Sequence, residues 1–427
     1  MLSSGTSYGV RRTQGTDHHG AMGDVVIIAS CESYRLREFI TAASTLRRRP
    51  VVASDAPIPI EDDATQLQVD LGDPEAAGAH IAERVPGADA VVAIDDSGVE
   101  VASVAAGRLG LTHNLPAAVA ATRDKLRQRQ LLAAADVAQP EFAAAEVGAV
   151  PAVARDVGFP AVIKPVGLSA SRGVIRVDGR EEAERAEPRI RAIVENAGGD
   201  PRHPLLIEEY IPGTEVVVEG LLTGGTVEVL AVIDKPDPLE GPFFEETMFV
   251  TPSRLPADQQ RSAIALAAEA VGALGLTVGP IHAEIRLPSE GGPRLIEIAA
   301  RSIGGLCGRS LTFGILGESL ETLIIRNALG EAAGGPIAQR SASGVLMLPI
   351  PATGTLTDVD GIEFALAIEG VDGIEITVPL RKRLAALPEG DRYLGFVFAS
   401  GLNPDDVEAT LREVSATLVT SVDGEDV

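Results

Sequence analysis

A lysine that closes an apolar run is the first feature of the sequence that could do chemistry. Lys164 follows the segment 158–163 (GFPAVI), and the small-residue segment 165–174 (PVGLSASRGV) comes next. An ammonium group beside a loop with free backbone N–H groups and hydroxyls suits the phosphates of a nucleotide. Because the segment lacks the pattern G-x-x-x-x-G-K-[ST], phosphate binding by a P-loop is excluded. The alternative is an exposed lysine before an ordinary turn.

Acidic residues flank a short connection between two further predicted strands. The segment 206–215 reads LIEEYIPGTE, so Glu208 precedes the connection and Glu215 follows it. Backbone groups at such a connection can hydrogen-bond a planar base, and a carboxylate can accept hydrogen bonds from ribose hydroxyls. The alternative is a set of solvent-facing carboxylates at strand edges.

Two more carboxylates lie on strands that are predicted to form a hairpin across the turn-rich linker 288–293. Because side chains alternate along a strand, Glu284 shares a face with His282, and Glu297 shares a face with Arg301. Carboxylates on otherwise apolar strands need a compensating cation, and Mg²⁺ prefers oxygen ligands. The hairpin is therefore a candidate Mg²⁺ site, with a solvated sheet face as the alternative.

Alternating strands and helices precede these motifs and predict how they are positioned. Strands are expected at 25–29, 50–54 and 90–94, with helices between them, which is typical of a parallel sheet covered on both faces. The turn after the first strand (SCES, 30–33) has no G-x-G-x-x-G, so a dinucleotide-binding domain is disfavoured. The polar, glycine-rich residues 1–23 are expected to be a disordered lead-in.

The rest of the chain changes character. The middle region is rich in short strands and contains an alanine-rich helix at about 258–274. From about residue 336 the sequence predicts a small α+β unit, with strands at 344–350, 374–378 and 392–400 and a helix from residue 403 onward. Cys307, close to two glycines, is expected to be a buried packing residue.

Composition excludes several classes of partner. Lys and Arg number 36 against 61 Asp and Glu, a net charge of −25, which argues against nucleic acid and anionic membrane surfaces. No apolar run approaches the roughly 20 residues of a spanning helix. The two cysteines cannot form a disulfide framework, so a reducing cytoplasm is the expected location.

Taken in order, these motifs and Lys125 resemble those of ATP-grasp enzymes over about residues 24–330. Residues 235–254, 297–308 and the C-terminal region look most like the L-amino acid ligase branch, which joins a carboxylate to an amine at the expense of ATP. The resemblance implies an α/β and α+β architecture with an ATP-grasp fold. It implies an N-terminal parallel βαβ domain, a core with a lid and a small α+β domain, at 24–112, 113–335 (lid about 150–210) and 336–427.

The resemblance also implies a nucleotide site. The ATP phosphates would contact two lysines and the loop that closes over them, namely Lys125, Lys164, Ser169, Ser171, Arg172 and Gly173. The base and ribose would contact the strand connection, namely Glu208, Glu209, Ile211 and Glu215. Mg²⁺, or alternatively Mn²⁺, would bind Glu284 and Glu297. The related pattern Glu-x-Asn-x-Arg has Ala299 at its asparagine position here, so one metal ligand is missing.

Catalytic roles follow from the same resemblance. Lys164 and Arg301 would act on the transferred phosphoryl group, Arg301 also on the acyl intermediate, and His282 would assist deprotonation of the amine. The expected substrate contacts are Lys235, Glu245, Glu246, Arg301, Gly304 and Gly305.

The main hypothesis is an ATP-dependent ligase that joins a carboxylate, that of an amino acid, to an amine through an acyl phosphate. ADP and phosphate would be released, both substrates would be small molecules, and a homodimer is left open. One alternative is an enzyme like carbamoyl-phosphate synthase or biotin carboxylase. Another is a catalytically weak ATP-binding regulatory protein, an alternative that the missing metal ligand at Ala299 leaves open.

Overall fold

The computed structural model describes residues 23–60, 64–312, 316–331 and 341–423. The expected disordered lead-in (apart from Gly23) and the expected boundary at residues 335 and 336 lie outside these ranges. The described residues form four β-sheets with helices packed against them.

The N-terminal region forms a layered unit whose elements are β1 (Asp24–Ala29), α1 (Leu36–Thr45), β2 (Arg49–Ser54), β3 (Thr65–Gln68), α2 (Pro74–Arg84), β4 (Ala88–Ala93) and α3 (Val99–Leu109). Its strand pairs are all parallel, in the order β3-β2-β1-β4. β1 is buried along its whole length because its side chains pack into an apolar cluster on each face. The parallel βαβ unit expected from the sequence is confirmed.

The next region carries a second, antiparallel sheet. Its elements are α4 (Pro116–Arg123), α5 (Lys125–Ala134), β5 (Phe142–Ala145), α6 (Val150–Val157), β6 (Ala161–Lys164), β7 (Ile175–Val177), α7 (Arg180–Asn196) and β8 (Leu205–Glu209). The strand order is β5-β8-β6-β7, and α6 and α7 share one apolar core with the sheet. This unit overlaps the lid predicted at about 150–210. Lys164 ends β6 directly beside β8, which carries Glu208.

The largest sheet contains strands from the core and from the C-terminal region. Its core elements and their neighbours are β9 (Thr214–Thr223), β10 (Thr226–Lys235), β11 (Met248–Thr251), α8 (Ala257–Leu274), β12 (Val278–Leu287), β13 (Arg294–Ala299), α9 (Gly308–Leu311) and α10 (Leu320–Ala328). The C-terminal elements are β14 (Ala342–Leu348), β15 (Gly354–Asp360), α11 (Ile362–Leu366), β16 (Val371–Ile376), β17 (Arg383–Leu384), β18 (Gly395–Gly401), α12 (Pro404–Thr417) and β19 (Val419–Asp423).

The sequence predicts a small C-terminal α+β domain, and three strands of this region extend the core sheet. The order is β13-β12-β9-β10-β11-β14-β18-β16, and β11 pairs antiparallel with β14. β11 is buried at every residue, so its free edge needs a strand partner and β14 supplies it. The other C-terminal strands form a three-stranded sheet in the order β17-β15-β19.

The predicted hairpin is β12 and β13. In its antiparallel register Glu284 lies opposite Glu297, and His282 lies opposite Ala299. Opposed residues share a sheet face, so all four side chains belong to the same face. The hairpin therefore presents two carboxylates together, as the sequence predicts.

The predicted alanine-rich helix is α8. It ends at Gly275, whose left-handed backbone (φ 71°) closes the last turn. Its buried side chains pack against the large sheet in one apolar cluster. No helix in the described ranges is both long and apolar enough to cross a membrane.

Candidate active site

A cavity of about 550 Å³ lies where the N-terminal sheet, the lid, the large sheet and a C-terminal segment meet. Most of the predicted site residues line it, namely Lys125, Lys164, Ser169, Ser171, Arg172, Glu208, Glu209, Ile211, Glu215, Glu246, His282, Glu284, Glu297, Arg301, Gly304 and Gly305. Lys235, Glu245 and Gly173 are not among the lining residues, and their contacts with a ligand stay predictions. Lys235 contacts three carboxylates that do line the cavity.

The lysine end of the cavity is defined by Lys125 and Lys164. Lys164 Nζ lies 2.6 Å from Glu208 Oε2, and Arg129 Nε donates to Glu208 Oε1 at 2.6 Å. Burial alone would raise the pKa of Glu208, but these two cations outweigh it and lower the pKa to about 2. Glu208 is therefore an ionised acceptor that fixes Lys164 at the end of β6.

Lys125 links the small-residue loop to the hairpin. It is the first residue of α5, and its Nζ donates to Leu168 O and to Glu297 Oε1, each at 2.9 Å. Its backbone N–H also donates to Val166 O at 2.9 Å. The loop, the lysine and a hairpin carboxylate are therefore held together, and they can face one anionic ligand.

A buried network of charges lies behind the cavity wall, centred on Lys235. Its Nζ lies 2.5 Å from Glu215 Oε1 and 3.3 Å from Glu284 Oε2, and it also contacts Glu246. Burial lowers the pKa of Lys235, but the three carboxylates raise it well above its usual value. Arg286 Nε donates to the other oxygen of Glu215 at 2.6 Å. Both Glu215 oxygens are thus engaged by cations before any ribose contact is made.

His282 is a second buried cation in this network. Its Nδ1 lies 2.8 Å from Glu219 Oε2, and its Nε2 lies 3.6 Å from Glu284 Oε1. Burial lowers the pKa of His282, but hydrogen bonds to the two carboxylates raise it to about 9. A protonated imidazole has no lone pair to accept a proton, so this pKa argues against the predicted role of His282 in deprotonating the amine, which stays a prediction.

The hairpin carboxylates suit a Mg²⁺ ion. Glu284 and Glu297 both line the cavity and offer carboxylate oxygens, the donors that Mg²⁺ prefers. Burial opposes ionisation of Glu284, but Lys235 and His282 hold its pKa well below the usual value. Ala299, opposite His282, is buried and supplies no ligand. Oxygens of Glu215, Glu246 and Glu284 also lie within 4.8 Å of one another, but the ammonium of Lys235 already occupies that cluster.

Arg301 enters the cavity from the loop after β13. Its Nε donates at 2.9 Å to Oδ2 of Asp96, which follows the end of β4. Burial opposes charge on both groups, yet their contact raises the pKa of Arg301 and lowers that of Asp96. The guanidinium is thus a fixed cation whose other donors can face a ligand.

Arg35 and Glu219 hold the loop that follows Arg301. Arg35 donates to Ile303 O at 2.9 Å and to Ser302 Oγ at 3.0 Å, while Glu219 Oε1 accepts from the Ile303 N–H at 2.8 Å. The sequence alone does not single out these two residues, Asp96 or Arg129 for the site. For Glu219 it offers one signal, which is an acidic residue inside the apolar strand TEVVVEGLLT. The structure shows that this residue is fully buried.

The glycine end of the cavity is defined by Gly304 and Gly305. Gly305 has a left-handed backbone (φ 60°), and a Cβ built there would lie 2.7 Å from the Phe396 ring. Cys307 is buried beside it, and burial raises the pKa of its thiol. The thiol is therefore an unreactive packing group, in agreement with the prediction from sequence.

Known proteins are similar to this chain in sequence and in structure. The ATP-grasp domain family matches residues 157–310, and L-amino acid ligase C-terminal domain 2 matches residues 346–423. The structure resembles the L-amino acid ligase from Bacillus licheniformis, at 25% identity and a TM-score of 0.78, over 95% of this chain and 100% of that chain.

Curated relatives include carnosine synthase 1 from Gallus gallus, 31% identical over 61% of this chain and 30% of that protein. Alanine--anticapsin ligase from Bacillus subtilis (strain 168) is 29% identical over 51% of this chain and 49% of that protein. The chain thus spans less than half the length of these two relatives. The chain carries a match to the ATP-grasp domain at residues 157–310 and a match to a C-terminal domain of the L-amino acid ligase type at residues 346–423.

Proposed function

We propose that the protein is an ATP-dependent ligase that joins the carboxylate of an amino acid to an amine through an acyl phosphate. ADP and phosphate are the other products. The observation that carries this proposal is one cavity lined by Lys125 and Lys164, by the carboxylates of Glu284 and Glu297, and by Arg301. The names of its relatives, which are ligases of amino acids, support the same chemistry.

The lysine end is suited to hold the ATP phosphates. Lys164 is oriented by Glu208, and Lys125 by the Leu168 carbonyl, so both ammonium groups are positioned before a ligand arrives. Glu284 and Glu297 would hold Mg²⁺, which supplies positive charge against the phosphate oxygens. The backbone at Glu209 and Ile211 is suited to the adenine edge.

The amino acid carboxylate attacks the terminal phosphorus of ATP, and ADP leaves with the electron pair of the broken P–O bond. The amine nitrogen then attacks the carbonyl carbon of the acyl phosphate, and phosphate leaves. Arg301, fixed by Asp96, offers donors for the phosphoryl group in both steps. The enclosing lid excludes water that would hydrolyse the acyl phosphate.

The raised pKa of His282 argues against this residue as the base for the amine. The protonated His282 instead balances the charge of Glu219 and Glu284. Glu246 lines the cavity, and its carboxylate is suited to bind the ammonium group of an amino acid. The same carboxylate also forms an ion pair with Lys235. The cytoplasm, with its supply of ATP and amino acids, is the proposed location.

A phosphate-release screen tests the proposal. Purified protein with ATP and Mg²⁺ is incubated with paired amino acids and amines, and the products are identified by mass spectrometry. We expect phosphate release that depends on both substrates, with a product mass equal to their sum less water. Phosphate release with bicarbonate alone would favour the carboxylase-like alternative.

A regulatory ATP-binding protein is the second candidate, because Ala299 supplies no metal ligand and Lys235 already occupies the neighbouring carboxylates. Its signature is tight ATP binding in calorimetry with no amide product in any combination of the screen. Product formation at a rate proportional to enzyme concentration would exclude it.

A further inference from the structure

A C-terminal segment reaches across to the lid from the connection between β17 and β18. We name residues 388–393 the support segment. Its first residue accepts a hydrogen bond from the lid, because the Gly173 N–H donates to Pro388 O at 2.8 Å. Arg172 Nε donates to Glu389 O at 3.1 Å, and Arg172 Nη1 lies 3.5 Å from Asp391 Oδ2. All three contacts are made by the loop 169–173.

A bidentate ion pair joins the support segment to helix α7 of the lid. Arg189 Nε donates to Glu389 Oε1 at 2.6 Å, and Arg189 Nη2 donates to Glu389 Oε2 at 3.0 Å. Paired donors on paired acceptors fix orientation as well as distance. The lid is thus held to the support segment at the loop and at the helix.

The loop 169–173 has little structure of its own to define its position. Ala170 and Ser171 adopt left-handed backbone (φ 55° and 54°), which non-glycine residues seldom adopt without outside restraint. Apart from two turn hydrogen bonds, Arg172 N–H to Ser169 O and Val174 N–H to Ser171 O, the hydrogen bonds and ion pairs of residues 169–173 within the described ranges go to the support segment.

The support segment is itself anchored at its other end. Arg392 Nη2 donates at 2.9 Å to Glu32 Oε2 of the N-terminal unit. Tyr393 lines the cavity and packs against Phe396, with ring centroids 6.0 Å apart. Gly390 closes a tight turn, since a Cβ there would lie 2.2 Å from Ala385 O. The segment is therefore a fixed point against which a lid can be set.

We propose that the support segment positions the loop 169–173 over the lysine end of the cavity, with Glu389 as the positioning residue. Glu389 does not line the cavity; its carboxylate acts through Arg189, and its backbone carbonyl accepts from Arg172. The inference rests on the proposed function only in assigning the nucleotide phosphates to this loop. The contacts themselves are independent of that assignment.

A charge swap at the ion pair tests the proposal. The single variants Arg189→Glu and Glu389→Arg place like charges together, and the double variant restores an opposed pair. Glu413→Ala, an exposed glutamate on α12 of the same C-terminal region, is the matched control. Amide hydrogen exchange of residues 169–175, without nucleotide and with Mg²⁺ and the ATP analogue AMP-PNP, is the direct readout.

We expect faster exchange in both single variants, including at the Gly173 amide that donates to Pro388. Because these variants lose an exposed ion pair, the dissociation constant of AMP-PNP should rise about two- to fivefold. In steady state the KM for ATP should rise while kcat stays close to wild type, because the groups at the cavity are unchanged. The double variant should recover both values.

The proposal would be overturned if the single variants kept wild-type exchange rates and wild-type AMP-PNP affinity. It would also be overturned if a double variant that folds normally failed to recover the values that the single variants lose. Exchange in the absence of nucleotide needs neither binding nor turnover. If the protein made no amide product but the loop responded as expected, the proposed function would fail while the positioning role held. If the protein were a normal ligase with an unresponsive loop, the positioning role would fail while the proposed function held.

Discussion

At the scale of single residues, the site is organised by buried cations that are paired before any substrate arrives. Lys235 contacts three carboxylates, and His282 lies between two. Removing one member of such a group leaves an uncompensated buried charge, which costs far more than the pair contributes. These charges therefore fix side-chain positions and restrict which residues can accept protons.

Glu208 gives this organisation a measurable pH dependence. Its pKa falls from 4.5 to about 2 in the folded protein, so its contribution to stability is complete above pH 4.5 and is lost as the pH falls toward 2. We expect Glu208→Gln to lower the free energy of unfolding by about 3 kcal/mol at pH 6. Urea titrations should show the difference from wild type shrinking between pH 5 and pH 3, and a constant difference would contradict the assignment.

Position 305 requires glycine because its backbone is left-handed and because the Phe396 ring leaves no room for a side chain. Gly305→Ala would place a Cβ 2.7 Å from the Phe396 ring at a left-handed residue, and we expect about 2 kcal/mol of lost stability. Gly304→Ala is the matched control, because a Cβ there meets nothing within 4 Å. Chemical denaturation of the two variants checks this, and equal stabilities would refute the packing argument.

At the scale of elements, local patterns were predictable and distant partnerships were not. The hairpin of β12 and β13 follows from alternation and a turn-rich linker, and the structure pairs Glu284 with Glu297 across it. The pairing of Arg129 with Glu208 spans 79 residues, and that of Glu219 with Ile303 spans 84. Such contacts arise only when separate elements pack, so no local pattern indicates them.

The role of His282 shows the same limit. Its place beside Glu284 follows from strand alternation, but its proton affinity depends on Glu219 in β9, a strand 63 residues away in the sequence. The attachment of the C-terminal region to the core sheet has a similar origin. The sequence locates β14 and β18 closely but gives no sign that β14 pairs with β11.

The hairpin also carries the most direct test of the proposed metal site. Glu297→Gln removes a charged oxygen ligand and the partner of Lys125, so we expect phosphate release to fall at least about a hundredfold. Circular dichroism should match wild type, because Glu297 lines the cavity and lies outside the apolar core. Glu290→Gln, in the exposed turn of the same hairpin, should leave the rate unchanged. An unchanged rate in Glu297→Gln would remove the assignment.

At the scale of the whole molecule, one cavity is assembled from parts that are far apart in the chain. The N-terminal unit supplies Asp96 and Arg35, the lid supplies Lys164, and the C-terminal region supplies Tyr393. The net charge of −25 keeps the surface acidic, so large polyanions are repelled. Inside the cavity Lys125, Lys164 and Arg301 each contact a carboxylate, which positions these cations for a small anionic ligand.

The continuity of the large sheet predicts that the C-terminal region cannot be removed. A chain ending at residue 340 would lose β14, β18 and β16, exposing the β11 edge. It would also strip buried side chains such as Val345, Met347, Phe396 and Phe398 from the central apolar cluster. Since each such side chain contributes about 1.5–3 kcal/mol, the loss of these four alone is comparable to the whole stability of an ordinary domain, which is about 5–15 kcal/mol.

We therefore expect the chain ending at residue 340 to aggregate or to lack a cooperative thermal transition, whereas one ending at residue 423 melts like the full chain. Circular dichroism and size-exclusion chromatography of the two chains distinguish these outcomes. A separable domain would instead leave a monomeric core with a sharp melt and intact AMP-PNP binding. That result would mean that β11 tolerates a free edge and that the C-terminal strands are an accessory to the core rather than part of its sheet.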